Sequence, residues 1–438
     1  MPTRNGSFDP ASLFGSWDTD CDVGPTYTRV NGRIVPIHEL SDGDVLAWRD
    51  LAKNAIEPNP LFEPECLIPA ARNLPNGAEM LLVIAEDEGE FFGCFPIIWV
   101  AGDSPPSTTW SGIRRPTFST QVRRLRYDGT PLVREQRGIE AAAALLSVLT
   151  RRDRTKNAGI LVFESIENDG PVSSNIASAA KQLKLPIHTY RTWTRPVVRR
   201  RDELTYRSIH GSKYLRKIAK WRRQLGERLG GEVQFVNRSA DPLAVDQLIA
   251  IEAAGYKSKA GGDLASHPGE AEWFREMCDQ FREEDRVILY SLQVSESVIA
   301  MQLMLRAGEG LFGLQTVFDE EYARFSPGIQ LHVELIDRFH NETDAQWSDT
   351  CTYAGNKTLL HLYPDRRTFS TVLVAVGGPV ERSYFRLYAA AQDFLGVDST
   401  FRRRHARVSG ALDWAAWKLV NTTRKKRADL KRIRARVP

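Results

Sequence analysis

The sequence predicts an α/β (α+β) chain in which mixed, mainly antiparallel sheets are flanked by helices, arranged as two domains. Three observations carry this expectation. The 438 residues exceed what one hydrophobic core usually organises, and a hydrophobic content of 42% is that of a globular protein. Three strand-like runs, Val287 to Val294, Val298 to Leu305 and Leu311 to Phe318, are separated by Ser295-Glu296-Ser297 and Ala307-Gly308-Glu309-Gly310. That is the turn chemistry of an antiparallel meander. Strand-like and helix-like segments also alternate ahead of it, between residues 37 and 201.

Met1 to Val35 is rich in Gly, Pro, Asp and Thr with few apolar clusters, so residues 1–36 read as an irregular leader and order begins near Ile37. In the first domain, 37–201, Ser41-Asp42-Gly43-Asp44 precedes a helix-like stretch from Val45 to Ala55. Met80 to Ala85 and Gly93 to Ala101 read as strands, Ile139 to Leu149 as a helix rich in Ala and Leu, and Ile160 to Phe163 as a short buried strand. Leu185 to Val198 is strand-like, and Arg199-Arg200-Arg201 closes the domain as a basic linker.

The second domain, 202–400, opens with Ser208 to Gly230, where Lys213, Arg216, Lys217, Lys220, Arg222 and Arg223 alternate with Tyr214, Leu215, Ile218, Trp221 and Leu225. This is a basic amphipathic helix whose cations either bind an anion or form a solvated face. Val233 to Val236 then reads as a strand and Leu243 to Ala254 as a helix. After the meander comes Phe318-Asp319-Glu320-Glu321-Tyr322-Ala323-Arg324-Phe325-Ser326-Pro327-Gly328. Here Ser326 can cap a helix, Pro327 suits its first position and Gly328 lets a ligand approach the backbone. The N–H groups of such a start attract an anion, although Ser-Pro-Gly is also an ordinary helix opening. The helix runs from Ile329 to Phe339 on Ile329, Leu331, Val333, Leu335, Ile336 and Phe339. A strand from Gln346 to Cys351 follows.

The formal net charge of +4 conceals an asymmetry, because Arg402 to Pro438 holds thirteen Lys or Arg against Asp413 and Asp429. Residues 401–438 therefore form a basic tail, with Trp414 and Trp417 between its cationic clusters. Three fates are open to it: peripheral contact of 402–436 with an anionic membrane, packing of the tryptophans on the second domain, or nucleic-acid binding, the least favoured. There is no apolar run near the ~20 residues needed to cross a bilayer, and Met1 to Pro10 lacks a signal peptide's pattern. The expected location is the cytoplasm, including the inner face of the plasma membrane. Cys21, Cys66, Cys94, Cys278 and Cys351 are scattered, odd in number and without metal-like spacing, so they read as reduced thiols and no metal is expected. No Walker-type loop, HExxH pair or dinucleotide fingerprint occurs.

Several stretches together resemble the GNAT acyl-CoA N-acyltransferases, and more narrowly the bacterial branch grouped with cellulose-biosynthesis acetyltransferases. They are Ile251-Glu252-Ala253-Ala254-Gly255-Tyr256-Lys257, the Phe318 to Gly328 run, Ser348-Asp349-Thr350-Cys351 and Tyr363-Pro364-Asp365-Arg366-Arg367. In the first half Ala55-Ile56-Glu57-Pro58-Asn59-Pro60-Leu61-Phe62 and Gly129-Thr130-Pro131-Leu132 share the resemblance, which spans roughly residues 40 to 380. It departs at Gln315-Thr316-Val317, where relatives often carry Lys.

The resemblance implies tandem GNAT-like units, the first degenerate, and direct acyl transfer from acetyl-CoA or another acyl-CoA to an amine or hydroxyl. An envelope carbohydrate precursor is the expected acceptor. It implies donor contacts at Thr316, Val317, Phe318, Arg324, Phe325, Ser326, Gly328 and Ile329, acceptor contacts at Lys257, Asn356 and Lys357, and catalytic roles for Glu252, Asp349 and Tyr353. Glu252 and Asp349 are the candidate bases, and Tyr353 would protonate the departing thiolate. Two alternatives stand beside this reading. One is a Fem-type transferase, which takes its acyl group from aminoacyl-tRNA; the other is a non-catalytic, membrane-associated scaffold of the same fold.

Overall fold

The computed structural model describes residues 30–100, 117–119, 129–150, 159–201, 211–255, 263–352 and 355–394. Cys21, Lys257, Tyr353 and the 401–438 tail lie outside the described residues. The first half runs β1 (Asn31–Pro36), α1 (Asp42–Lys53), α2 (Pro64–Asn73), β2 (Leu81–Asp87), β3 (Glu90–Val100), β4 (Thr117–Ser119), β5 (Leu132–Val133), α3 (Gly138–Leu149), β6 (Ile160–Glu167), α4 (Pro171–Gln182) and β7 (Ile187–Arg199). The second runs α5 (Ser212–Leu229), β8 (Val233–Asn237), α6 (Ala244–Ala254), α7 (Glu270–Glu283), β9 (Val287–Val294), β10 (Ser297–Ala307), β11 (Gly310–Phe318), α8 (Pro327–Glu342), β12 (Trp347–Asp349), α9 (Lys357–Leu362), β13 (Asp365–Val374) and α10 (Pro379–Phe394).

Local chemistry accounts for many of these boundaries. Ser41 and Asp44 form a reciprocal capping box that starts α1. The predicted meander is present: β9, β10 and β11 pair antiparallel from Ser297↔Val294 through Ala307↔Gly310. Two expectations need correcting. Asn31–Pro36, inside the stretch read as leader, is a strand, because it pairs residue by residue with Leu81–Glu86 and so finds ladder partners that its own composition does not advertise. Arg200 is no linker cation: its guanidinium donates to the carbonyls of Phe339 (3.0 Å), His340 (3.2 Å), Thr343 (2.5 Å) and Ala345 (2.8 Å), closing the carbonyl end of α8.

The strands form one continuous sheet in the order β1-β2-β3-β4-β6-β13-β7-β12-β11-β10-β9-β8, with β5 on β3. The two halves of the sequence are therefore not two separate sheets. β13 inserts between β6 and β7, and β7 pairs with β12. The main hydrophobic core likewise crosses the halves, joining Leu67 and Ala70 of α2 to Trp273, Phe274 and Phe281 of α7. The Trp273 indole donates to the Cys66 carbonyl at 3.1 Å. Gly269, at φ +75, precedes α7 where a Cβ would lie 1.9 Å from the Asn73 carbonyl oxygen. Only glycine fits that close approach. Among the described residues, no helix is long and apolar enough to cross a membrane.

Candidate active site

The site begins where β11 leaves β12. Their parallel pairing covers only Gly310↔Trp347, Leu311↔Ser348 and Phe312↔Asp349, while β11 continues to Phe318. At Gly313 the strands are still close, since a Cβ there would sit 3.2 Å from the Asp349 oxygen and 3.1 Å from that of Thr350. Beyond this point Leu314 to Phe318 have β10 on one side and no β12 partner on the other. The β10 register also shifts here, from Leu303↔Gln315 to Met304↔Gly313, so Leu314 is an extra residue. A bulge at a strand end re-aims the side chains that follow it.

Gln315 comes next, and its amide donates to Oε1 of Glu252 on α6. Oε2 of Glu252 accepts the Leu264 N–H at 3.0 Å, and the residue is 3% exposed. The carboxylate thus lies on the side of β11 covered by α6, held by donors from two directions.

The far end of β11 leads into the turn. The Asp319 carboxylate accepts the Glu321 N–H at 2.9 Å and opens a single tight turn, Glu320–Phe325. Ser326 follows at φ 52, ψ 53, a left-handed conformation that opposes non-glycine residues by about 1 kcal/mol or more. Its hydroxyl makes no cap bond, so the expected side-chain cap is replaced by its carbonyl, which accepts from Ile329 (3.0 Å) and Gln330 (3.2 Å). Pro327 has no N–H, which makes that of Gly328 the first donor at the helix mouth. A Cβ on Gly328 would meet the Phe318 ring at 3.8 Å, an ordinary contact.

Other predicted donor contacts gather around this mouth. The exposed Arg324 guanidinium lies 4.6 Å from the Phe325 ring centroid, and Phe325 is buried beneath it. The Thr316 hydroxyl donates to Gln302 across the strand pair, Val317 is buried, and Phe318 and Ile329 are half-buried. α5 flanks the turn through Arg228–Glu321 (3.9 Å) and α8 through Arg222–Glu334 (2.6 Å).

Asp349 occupies a different environment. It is fully buried, Oδ1 accepts the Cys351 N–H at 2.8 Å, and Oδ2 lies 3.1 Å from Arg195 on β7 and 3.3 Å from Arg367 on β13. Arg367 also binds Glu167 on β6 at 2.5 Å. Two carboxylates and two guanidiniums thereby connect four strands from both halves. Asp349 stands beside Phe312 at the closed part of β11, whereas Glu252 is tied to Gln315 further along the same strand. Asn356 caps α9, accepting the Leu359 N–H at 3.2 Å and donating to the Thr352 hydroxyl at 2.9 Å, and Lys357 is exposed at that helix's first position.

Sequence reading did not single out Arg195 or His332, and Tyr363 entered only as the first residue of a resemblance motif; the His332 Nδ1 and the Tyr363 hydroxyl are 2.9 Å apart. Burial lowers the His332 pKa to about 4. Burial first, and then the Asp349 charge, push the Tyr363 hydroxyl up. These partners lie on separate elements, and no local pattern links them. The first-half motifs also meet: Asn59 donates to the Thr130 carbonyl at 2.9 Å, and Glu57 accepts the Val172 N–H at 2.8 Å at the start of α4.

Residues 212–352 match the acetyltransferase (GNAT) domain family. That segment, less than half of the chain, is similar to GNAT acetyltransferase domains. The matched segment contains Glu252, the meander, the turn before α8 and Asp349. No curated protein matches the chain. Among solved structures, FemX superposes with a TM-score of 0.52 at 9% identity, covering 82% of this chain and 100% of its own. That likeness establishes a shared fold and nothing finer. A conserved protein of unknown function from Bacteroides thetaiotaomicron (TM-score 0.47, 10% identity, 76% and 97% coverage) is more distant. So is a tandem GNAT protein from the clavulanic acid biosynthesis pathway (0.43, 12%, 80% and 99%). The expected α/β architecture, with sheets flanked by helices, is the one observed.

Proposed function

We propose that the GNAT domain moves an acyl group from acyl-CoA directly to an amine or hydroxyl. The observation that carries this reading is the juxtaposition along β11: a buried carboxylate is held at Gln315, and the start of α8, with Gly328 in its first turn, follows Phe318. In this reading the donor's pyrophosphate meets the Gly328 N–H and the positive end of α8, with Arg324 adding charge. The thioester lies along the open edge of β11, where a backbone N–H from Leu314 to Phe318 polarises its carbonyl. The acceptor attacks that carbon while Glu252 removes its proton; the new C–N or C–O bond replaces C–S, and the thiolate leaves. Tyr353 is the proposed proton source for the thiolate. Lys257, Asn356 and Lys357 are the proposed acceptor contacts, and an envelope carbohydrate precursor is the acceptor class suggested by the resemblance. We assign Asp349 to holding the sheet, because its Oδ2 lies against the guanidiniums of Arg195 on β7 and Arg367 on β13, whereas the donors that Gln315 and Leu264 bring to Glu252 are neutral.

Calorimetric titration with coenzyme A and acetyl-CoA, beside Gly328→Glu, tests the donor site. A Cβ there meets nothing closer than 3.8 Å, so micromolar binding lost in a variant that keeps the wild-type melting temperature would support the site, and no binding by the intact protein would remove it. A second reading, a Fem-type transferase supplied by aminoacyl-tRNA, draws on the FemX-like fold and on the exposed cations Lys213, Arg216, Lys217 and Lys220 of α5. Salt-sensitive tRNA binding without coenzyme A binding would select it. The proposed location is cytoplasmic, with membrane contact through 402–436. Flotation with anionic vesicles, lost on truncation after residue 401, would support that contact.

A further inference from the structure

We infer that Gln315 is a positioning residue that sets both the direction and the basicity of Glu252. This rests on Glu252 being the base, as proposed above. Glu252 is almost wholly removed from water, so hydrogen-bond donors must stand in for its hydration. The Gln315 amide at Oε1 and the Leu264 N–H at Oε2 are two such donors. Both are neutral. A neutral donor fixes the plane of a carboxylate while leaving it able to take up a proton, whereas a cation in the same contact stabilises the ionised form and weakens the base. The Leu314 bulge immediately precedes Gln315, at the point where β11 parts from β12. The residue that orients the carboxylate is therefore on the strand that would carry the thioester, which couples the base to the reacting carbonyl through one rigid element.

The charged surroundings are consistent with that role. β11 contributes no titratable side chain. On α6, Asp246 is paired with Arg275 of α7 at 2.6 Å. Asp263 and His267 lie in the segment leading to α7, and the buried Glu270 begins that helix. Gln315 is a neutral neighbour whose hydrogen bond to Glu252 a single substitution removes.

The test compares Gln315→Met, which keeps length but removes the donor, with Gln315→Lys, which substitutes a cation, and with Glu252→Gln. Coenzyme A release from acetyl-CoA is followed against pH with a panel of amines, and with water as the background acceptor. The expected result is an acid limb moved to higher pH in the Met variant and to lower pH in the Lys variant. Turnover should fall about tenfold or more in both, with acetyl-CoA affinity unchanged. Wild-type pH profiles in both Gln315 variants, alongside an inactive Glu252→Gln, would overturn the inference and leave the base in place. An active Glu252→Gln, or no thiol release from the wild-type protein, would remove the underlying reading and this inference with it. Should Gln315→Met fail to fold, the Lys variant decides alone, because its longer side chain can reach solvent from a half-buried site.

Discussion

The guanidinium of Arg195 is packed between the Asp349 carboxylate, 3.1 Å away, and the Phe369 ring, whose centroid is 3.4 Å from Cζ. A buried cation in that position depends on its partner. Asp349→Ala would remove the carboxylate that both Arg195 and Arg367 face, and breaking a buried pair by removing one partner costs about 3–5 kcal/mol. Chemical denaturation should show that loss. If Asp349→Asn instead keeps wild-type stability and loses turnover, Asp349 rather than Glu252 is the base.

The contrast between Asp349 and the turn before α8 shows what the sequence could and could not reveal. Gly308 and Gly310 mark a hairpin, Pro327 marks a helix start, and the cations of α5 repeat at helical spacing, because each signal is local. The sequence offered Asp349 and Glu252 alike as candidate bases and could not show the partners of Asp349, which come from β7 and β13, because β13 reaches its place only by inserting into the first half of the sheet. Helix α2 begins with Pro64 and contains Pro69, which masks it in a pattern search, yet it supplies the face against which α7 packs. Gln315 was visible only as a missing cation; its partner Glu252 could be recognised once α6 was seen lying on β11.

Arg324 is exposed and leans on Phe325, so its charge is available without being structurally committed. Arg324→Ala should leave the melting temperature unchanged and weaken coenzyme A binding about fivefold to tenfold at low salt. The difference from wild type should shrink as salt rises, because an exposed charge is screened. Equal affinities at low salt would exclude Arg324 from the donor site.

His332 gives a pH dependence with a definite sign. Burial places its folded pKa at about 4, below the ordinary 6.5 that applies in the unfolded chain. The unfolded state therefore binds a proton that the folded state refuses, and stability falls as pH drops from about 6.5 toward 4. The contribution is roughly 3 kcal/mol across that window. His332→Gln, which can still hydrogen-bond Tyr363, should flatten this part of the stability profile. Parallel urea-denaturation profiles of the two proteins over the same range would refute the assignment.

Trp273 tests whether the halves fold as one. Its side chain is 2% exposed, its indole reaches the Cys66 carbonyl on α2, and both residues belong to the core that also contains Leu289 and Leu303 of the central meander. Because α2 shares that core, and β1 to β3 share one sheet, with the 212–352 segment, neither half can lose its packing without exposing the other. Trp273→Ala should lower stability by about 3–5 kcal/mol. Calorimetry should show a single transition in both proteins, moved to lower temperature in the variant. Two separate transitions in the wild-type protein, with only the later-sequence half affected by the substitution, would mean that the junction is a contact between independent domains.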